Sequence, residues 1–189
     1  MLEHQYTKMR VTATITRNVI WNPPISIFVK INVDGAWKPS GNAGLGVVIR
    51  DCRGMLLGRK HCHILKSSIE EIEAEAALVG LVLANDMGLE NIMVESDSKV
   101  FVDSVKKKSI RSMWRIYPIM EEIWRLFSSF TQVRWKQIHR ETNKAAHEAA
   151  SYSIDRVCSQ QWATQPYPSL VLILSKDGLP CPPRNVNQC

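Results

Sequence analysis

The chain of 189 residues lacks several patterns that would place it in a well-known class. Its five cysteines show no CxxC spacing and are odd in number, so we expect reduced thiols rather than a disulfide framework. No run approaches the roughly 18 apolar residues of a membrane span, and the N-terminus has no apolar signal segment. No glycine-rich phosphate loop opens a helix. These absences predict an intracellular protein, nuclear or cytoplasmic, without a membrane segment.

Acidic residues are the scarcer charged type. There are 18 Asp and Glu against 24 Lys and Arg, which gives a net charge of +6. Residues 99–148 alone contain eleven basic and five acidic residues, a surplus equal to the net charge of the whole chain. A basic segment of this kind indicates a polyanionic partner such as nucleic acid. A solvated basic surface without a ligand is the alternative.

The first part of the chain predicts an antiparallel meander. Residues 25–34 alternate apolar and polar side chains, the period of two that is typical of a strand with one buried face. Short turns that contain glycine separate this strand from two more, at 45–51 and 55–65. Strands joined by such short connections pair antiparallel.

The second part alternates helices with strands. A helix capped by Ser67 or Ser68 extends to Gly88, and strands follow at 91–96 and 131–138, with helices between and after them. Strands reached through helices should lie parallel to their neighbours. The predicted fold class is therefore α/β, a mixed five-stranded sheet of three antiparallel strands and then two parallel ones, with helices on both faces.

Composition divides the chain into three parts. We expect residues 1–24 to be a linker, because they show no sustained periodicity, and residues 25–155 to form one domain. Five of the nine prolines lie between residues 166 and 183. Residues 156–189 are therefore predicted to be a tail outside the core.

Acidic residues stand where the predicted elements meet one edge of the sheet. Asp34 closes the first strand, and Asp97 follows the fourth. The helix between them offers four carboxylates, among which periodicity alone does not choose: Glu70, Glu71, Glu73 and Glu75. Carboxylates gathered at the end of a sheet are suited to a divalent cation.

The segments NVDGAW, AGLGVVIRD, EAEAALVGLVLA, VESDS and HRETNKAAHEAA occur in this order. Together they resemble the ribonuclease H domains of plant retroelement-derived proteins, over residues 27–153. The resemblance implies a βββαβαβα core and an acidic cluster that binds two Mg²⁺ ions, with Mn²⁺ as an alternative. It also implies that the partner is an RNA–DNA hybrid whose RNA strand is hydrolysed.

By position, the resemblance assigns the catalytic and metal-binding roles to Asp34, Glu75, Asp97 and His147. The family spacing of 22 residues before Asp97 selects Glu75 among the helical glutamates. His147 stands where the family carries its fourth acidic residue. A neutral imidazole can ligate a divalent metal. A surface histidine without a metal is the alternative, and the adjacent Glu148 is rotated by about 100° around the helix.

The resemblance also implies contacts with nucleic acid. The main chain at Gly35 and Ala36 would meet the 2′-hydroxyl groups of RNA, and Asn143 would contact the nucleic acid as well. A basic stretch resembles the substrate handle of some relatives and would bind phosphates of the DNA strand. It consists of Lys106, Lys107, Lys108, Arg111, Trp114 and Arg115. The alternative is a solvated helix end with Trp114 in the core.

Two other classes of function stay open at this point. Because His147 replaces a carboxylate, the same fold could serve as a nucleic-acid-binding module with weak turnover or none. A protein-interaction scaffold would instead show no affinity for nucleic acid. Fold alone does not decide between these functions.

Overall fold

The computed structural model describes residues 20–66, 68–108, 114–154, 160–161 and 166–178. The strands are β1 (Val29–Trp37), β2 (Asn42–Arg50), β3 (Leu56–Leu65), β4 (Asn91–Ser96), β5 (Gln132–Gln137) and β6 (Gln160–Gln161). The helices are α1 (Ile69–Asp86), α2 (Lys99–Lys107), α3 (Tyr117–Leu126), α4 (Lys144–Ser153) and α5 (Pro168–Lys176). Among the described helices, none is both long and apolar enough to cross a bilayer.

The strands form one mixed sheet in the order β5-β4-β1-β2-β3-β6. β1, β2 and β3 pair antiparallel, whereas β4 lies parallel to β1 and β5 lies parallel to β4. The predicted fold class and strand directions are therefore confirmed. The short β6, which the sequence pattern did not predict, pairs antiparallel with β3.

Helix α1 covers one face of the sheet. Ser68 caps its first turn as predicted, because the Ser68 hydroxyl accepts a hydrogen bond from a backbone N–H of that turn. Close contact with the strands requires a glycine in the middle of the helix. A Cβ atom at Gly80 would lie 3.0 Å from the Val33 side chain and 3.2 Å from that of Ile31. Together with α2 and α3, this face contains the main apolar core.

Helix α4 packs on the opposite face, in even closer contact. A Cβ atom at Gly46 would lie 2.1 Å from the carbonyl oxygen of Ala146, and one at Gly44 would lie 2.0 Å from that of Ala150. A side chain at either glycine would push the helix away from β2. Gly46 pairs with Asp34 across β1 and β2. The contact therefore sets the distance between α4 and Asp34.

Segments on both sides of the predicted domain converge on one buried arginine. Arg50 is fully buried, and the Trp21 ring lies 3.5 Å from the carbon at the centre of its guanidinium. Asp177, just after α5, accepts a hydrogen bond of 2.8 Å from the same guanidinium. Trp21 is itself only 2% exposed. The prediction of a linker that ends at residue 24 is therefore wrong for the described residues from Trp21 onward.

The described part of the predicted tail also belongs to the core. Helix α5 buries Leu170 and Leu174 in an apolar cluster with β2 and α4. Its first residue is Pro168, a position where proline is tolerated because the missing N–H has no partner within the helix. The prediction of a tail, which was based on proline content, is therefore wrong for residues 166–178.

We expect Asp177→Asn to lower the free energy of unfolding by roughly 3 kcal/mol, because it leaves a buried guanidinium without its counter-charge. Asp103→Asn is the matched control, since Asp103 is paired with Lys99 at the exposed surface. It should cost little stability, because solvent screens an exposed ion pair. Urea unfolding of both variants measures the difference. Equal losses of stability in the two variants would show that the buried Arg50–Asp177 pair stabilises the fold no more than an exposed pair does.

Candidate active site

Asp34 and Asp97 come together because β1 extends past the end of β4. The parallel register pairs Asn32 with Glu95, and β4 ends one residue later at Ser96. Continued by two residues, this register brings Asp97 level with Asp34. Asp34 is 3% exposed, and Asp97 is partly exposed.

The third carboxylate of the site belongs to Glu73. Asp34, Glu73 and Asp97 each offer an oxygen atom, and these three atoms lie within 4.8 Å of one another. The Ser96 hydroxyl lies 3.4 Å from a Glu73 carboxylate oxygen, and the backbone N–H of Gly35 donates to the same carboxylate. A Cβ atom at Gly35 would meet α1 at 2.5 Å, so only glycine allows this turn of the helix to lie so close.

The prediction that Glu75 belongs to the site is therefore corrected, because Glu73 supplies the third carboxylate. Glu75 lies on another side of α1, where its carboxylate forms a salt bridge of 3.1 Å with Lys66. Two residues advance a helix by about 200°, so Glu73 and Glu75 cannot face the same edge. One sequence signal did favour Glu73. It continues a stripe of small residues, all buried, at helical spacing: Ala76, Ala77, Gly80 and Ala84.

His147 lies beside Asp34, on the side of the site opposite α1. Its Nδ1 atom is 2.7 Å from an Asp34 carboxylate oxygen. Arg140 stands next to it, with Nη2 3.4 Å from each nitrogen of the imidazole ring. His147 thus borders the site without belonging to the three-carboxylate set, and the metal-binding role predicted for it stays a prediction.

Burial and mutual repulsion dominate the electrostatics of the site. Burial raises the pKa of Glu73 well above its usual value, and the charges of Asp34 and Asp97 raise it further. Burial also raises the pKa of Asp34, and the hydrogen bond from His147 opposes this change. The bond to Asp34 raises the pKa of His147. Three oxygen donors in a space this small fit a divalent cation, which would neutralise their repulsion.

The predicted basic stretch is exposed where it is described. Lys106 and Lys107 end α2 on its solvent side, and Lys108 follows in a left-handed conformation. Trp114 is 77% exposed, so the alternative that placed it in the core is wrong. Arg115 is exposed too, whereas Arg111 lies outside the described residues. The stretch has the exposure that phosphate binding requires, and the contact itself stays a prediction.

Asn143, which was predicted to contact nucleic acid, has its side chain engaged inside the protein. It is 1% exposed, and its amide donates a hydrogen bond of 2.9 Å to the carbonyl of Val33. Its side-chain oxygen accepts from Asn32 at 3.3 Å. The backbone N–H of Gly35 is likewise used by Glu73. A contact between the main chain at Ala36 and an RNA 2′-hydroxyl stays a prediction.

Residues 32–153 match the family described as "Reverse transcriptase-like". The chain belongs to this family. It is also 31% identical over 146 residues to an Arabidopsis thaliana protein named "Putative ribonuclease H protein", a match that covers 74% of this chain. The same match covers 22% of the relative, so the chain spans about a fifth of that protein's length. The resemblance to ribonuclease H-like domains of plant retroelement-type proteins is confirmed.

Solved structures confirm the fold. RNase H1 from Halobacterium salinarum superposes with a TM-score of 0.64 at 21% identity, over 68% of this chain and 98% of that one. The N-terminal RNase H domain of a Mycobacterium tuberculosis protein gives 0.65 at 22%, over 70% and 96%. LC11-RNase H1, solved in complex with an RNA/DNA hybrid, gives 0.63 at 24%, over 68% and 97%.

In metal-free protein, Glu73→Gln should be more stable than the wild type at pH 8, by about 1 kcal/mol or more. The folded protein raises the pKa of Glu73, so folding favours the protonated acid. The wild type has this stability below the usual pKa of glutamate and loses it as the pH rises through the raised pKa. The gain from Glu73→Gln should therefore grow between pH 5 and pH 8 in urea unfolding with EDTA.

Glu75→Gln is the matched control for this experiment, because it removes a charge two residues away on the same helix. It loses only a partly exposed salt bridge with Lys66, and the change in stability should stay below about 1 kcal/mol at either pH. If the gain in stability grows with pH in Glu75→Gln but not in Glu73→Gln, Glu75 and not Glu73 belongs to the carboxylate cluster.

Proposed function

We propose that the chain hydrolyses the RNA strand of RNA–DNA hybrids in a reaction that depends on a divalent cation. The convergence of Asp34, Glu73 and Asp97 at one sheet edge carries this proposal. The ribonuclease H fold of the solved structures supports it, as does the hybrid bound to LC11-RNase H1. Water would add to the phosphorus and the bond to the 3′ oxygen would break, which leaves 5′-phosphate and 3′-hydroxyl ends.

Each carboxylate has a distinct part in holding the cation. Asp34 is fixed at the centre by β1, Glu73 reaches the site from α1, and Asp97 approaches from the end of β4. A bound divalent cation, Mg²⁺ or Mn²⁺, would supply the Lewis acidity and the neutralising charge that phosphodiester hydrolysis needs. Ser96 and the backbone of Gly35 hold the Glu73 carboxylate in place. Asp97 is partly exposed, so the substrate would approach the cluster from its side.

A binding module without turnover is the second candidate function. The observation that favours it is the close pairing of His147 with Asp34, at 2.7 Å, because a side chain that already binds Asp34 competes with a cation for the same carboxylate. Both candidates bind a hybrid, and only the first cleaves it. One labelled RNA–DNA hybrid, scored for cleavage and for binding in Mg²⁺, Mn²⁺ and EDTA, separates the two.

Asp34→Asn and Glu73→Gln should lower the rate of hybrid cleavage on the order of a hundredfold or more, because each removes a cation ligand. Binding of the hybrid should change little. Glu75→Gln is the matched control and should keep its activity, since Glu75 binds Lys66 outside the site. Single-turnover cleavage and equilibrium binding give the two readouts. Metal-independent binding with no cleavage by the wild type would support the binding module instead.

The basic end of α2 should contribute to affinity through phosphates. We expect Lys106→Ala/Lys107→Ala to weaken hybrid binding and to reduce the slope of log affinity against log salt by about 1 to 2. The control Arg53→Ala/Lys176→Ala removes the same charge from two exposed residues, in the β2–β3 turn and at the end of α5. If both variants lose the same affinity, the effect is one of net charge and not of a docking site.

A further inference from the structure

The side of the site that faces α4 is positively charged. Arg140 is exposed, and its Nη2 atom lies 3.4 Å from both ring nitrogens of His147, which in turn binds Asp34. A guanidinium is protonated at any ordinary pH. The resemblance implied a fourth carboxylate and two metal ions, yet this chain has His147 at the position of that carboxylate, with Arg140 beside it.

The His147 imidazole is bonded to Asp34 on one side and lies against the Arg140 guanidinium. Nδ1 lies 2.7 Å from an Asp34 oxygen, and a carboxylate accepts hydrogen bonds, so we assign the ring proton to Nδ1. The lone pair is then on Nε2, and a guanidinium nitrogen of Arg140 lies 3.4 Å from this atom and equally far from Nδ1. An ion bound at Nε2 would thus lie close to the positive charge of Arg140.

Coulomb repulsion acts in the same direction. A divalent ion about 5 Å from a guanidinium loses on the order of tenfold in affinity even at the dielectric constant of water, and more at a partly buried site. Asp34, Glu73 and Asp97 already form a complete mutual set without His147. A second ion would have to share Asp34 with that set and to displace both His147 and Arg140.

We propose that this chain binds one divalent ion, at Asp34, Glu73 and Asp97, and that the Arg140 guanidinium takes the place of the second. The inference rests on the metal-dependent function proposed above. A guanidinium at this position presents several N–H donors to the solvent side of the site, where it can bind an oxygen of the substrate phosphate. Arg140 is thereby a candidate catalytic residue that sequence reasoning did not identify.

The number of bound ions tests the proposal directly. In calorimetric titrations with Mn²⁺ alone, the wild type should bind one ion. His147→Asp/Arg140→Ala, which restores the fourth carboxylate and removes the cation, should bind two. The matched control is His139→Asp/Arg140→Ala, which adds a carboxylate at an exposed residue outside the cluster and should bind one. Two ions in the wild type, or one in His147→Asp/Arg140→Ala, would overturn the proposal.

Arg140→Ala provides a second readout. Without the positive charge, the single Mn²⁺ should bind about tenfold more tightly. Cleavage of the hybrid at saturating metal should nevertheless slow by at least about tenfold, because a phosphate contact is lost. Arg140→Lys keeps the charge and should stay near the wild-type metal affinity. Tighter metal binding with an unchanged rate would contradict the role of Arg140.

Failure of the function and failure of the inference give different results. If the wild type binds no Mn²⁺, or if Asp34→Asn does not abolish its Mn²⁺ binding, the proposed metal-dependent function is wrong. The single-ion inference is then wrong too. If the wild type binds two ions and cleaves the hybrid, the function stands and only the single-ion proposal is wrong.

Discussion

Close contact between two helices and one pair of strands is the constraint on which the site depends. Gly35 lets the first turns of α1 lie against β1, and Gly46 lets α4 lie against β2 directly beside Asp34. Glu73 and His147 reach Asp34 from these two helices. A methyl group at either glycine would move a helix by an ångström or more, which is enough to separate groups that now lie within hydrogen-bonding distance. Backbone packing at these two glycines thus sets the distances from Asp34 to Glu73 and to His147.

The same packing buries carboxylates close to one another, which is unfavourable for their charged forms unless a cation is bound. Asp34 and Glu73 are nearly buried, and both have a raised pKa, because burial and mutual repulsion disfavour their charged forms. On one side the imidazole of His147 relieves part of this repulsion through its bond to Asp34. At Glu73 the Ser96 hydroxyl and the backbone N–H of Gly35 also oppose the rise in pKa, but neither carries a positive charge. Selection for stability alone would remove these charges, so their presence is an argument for a cation-dependent function.

Sequence reasoning predicted the strands and the positions of Asp34 and Asp97 well, because a period of two fixes which side of a strand each residue faces. It failed for Glu73, since α1 is buried along much of its circumference and an error of two residues rotates a helix to another side. Spacing taken from relatives misplaced the residue, whereas the stripe of small residues that faces the sheet would have found it. Helix α5 was missed for a different reason. Its burial depends on contacts with β2 and α4, which are distant in the chain.

A buried polar network links the outer segments to the site. Asn32 lies on β1, two residues before Asp34. It accepts hydrogen bonds from Trp21 and Arg50 and donates one to Asn143 at the start of α4. Asn143 in turn holds the carbonyl of Val33, next to Asp34. The position of α4, and with it that of His147, is therefore fixed from two directions, by glycine contacts at β2 and by amide bonds at β1. Buried polar groups are costly unless every partner is present. A network of this kind favours one geometry of the strand end, which is what a site built from three separate elements requires.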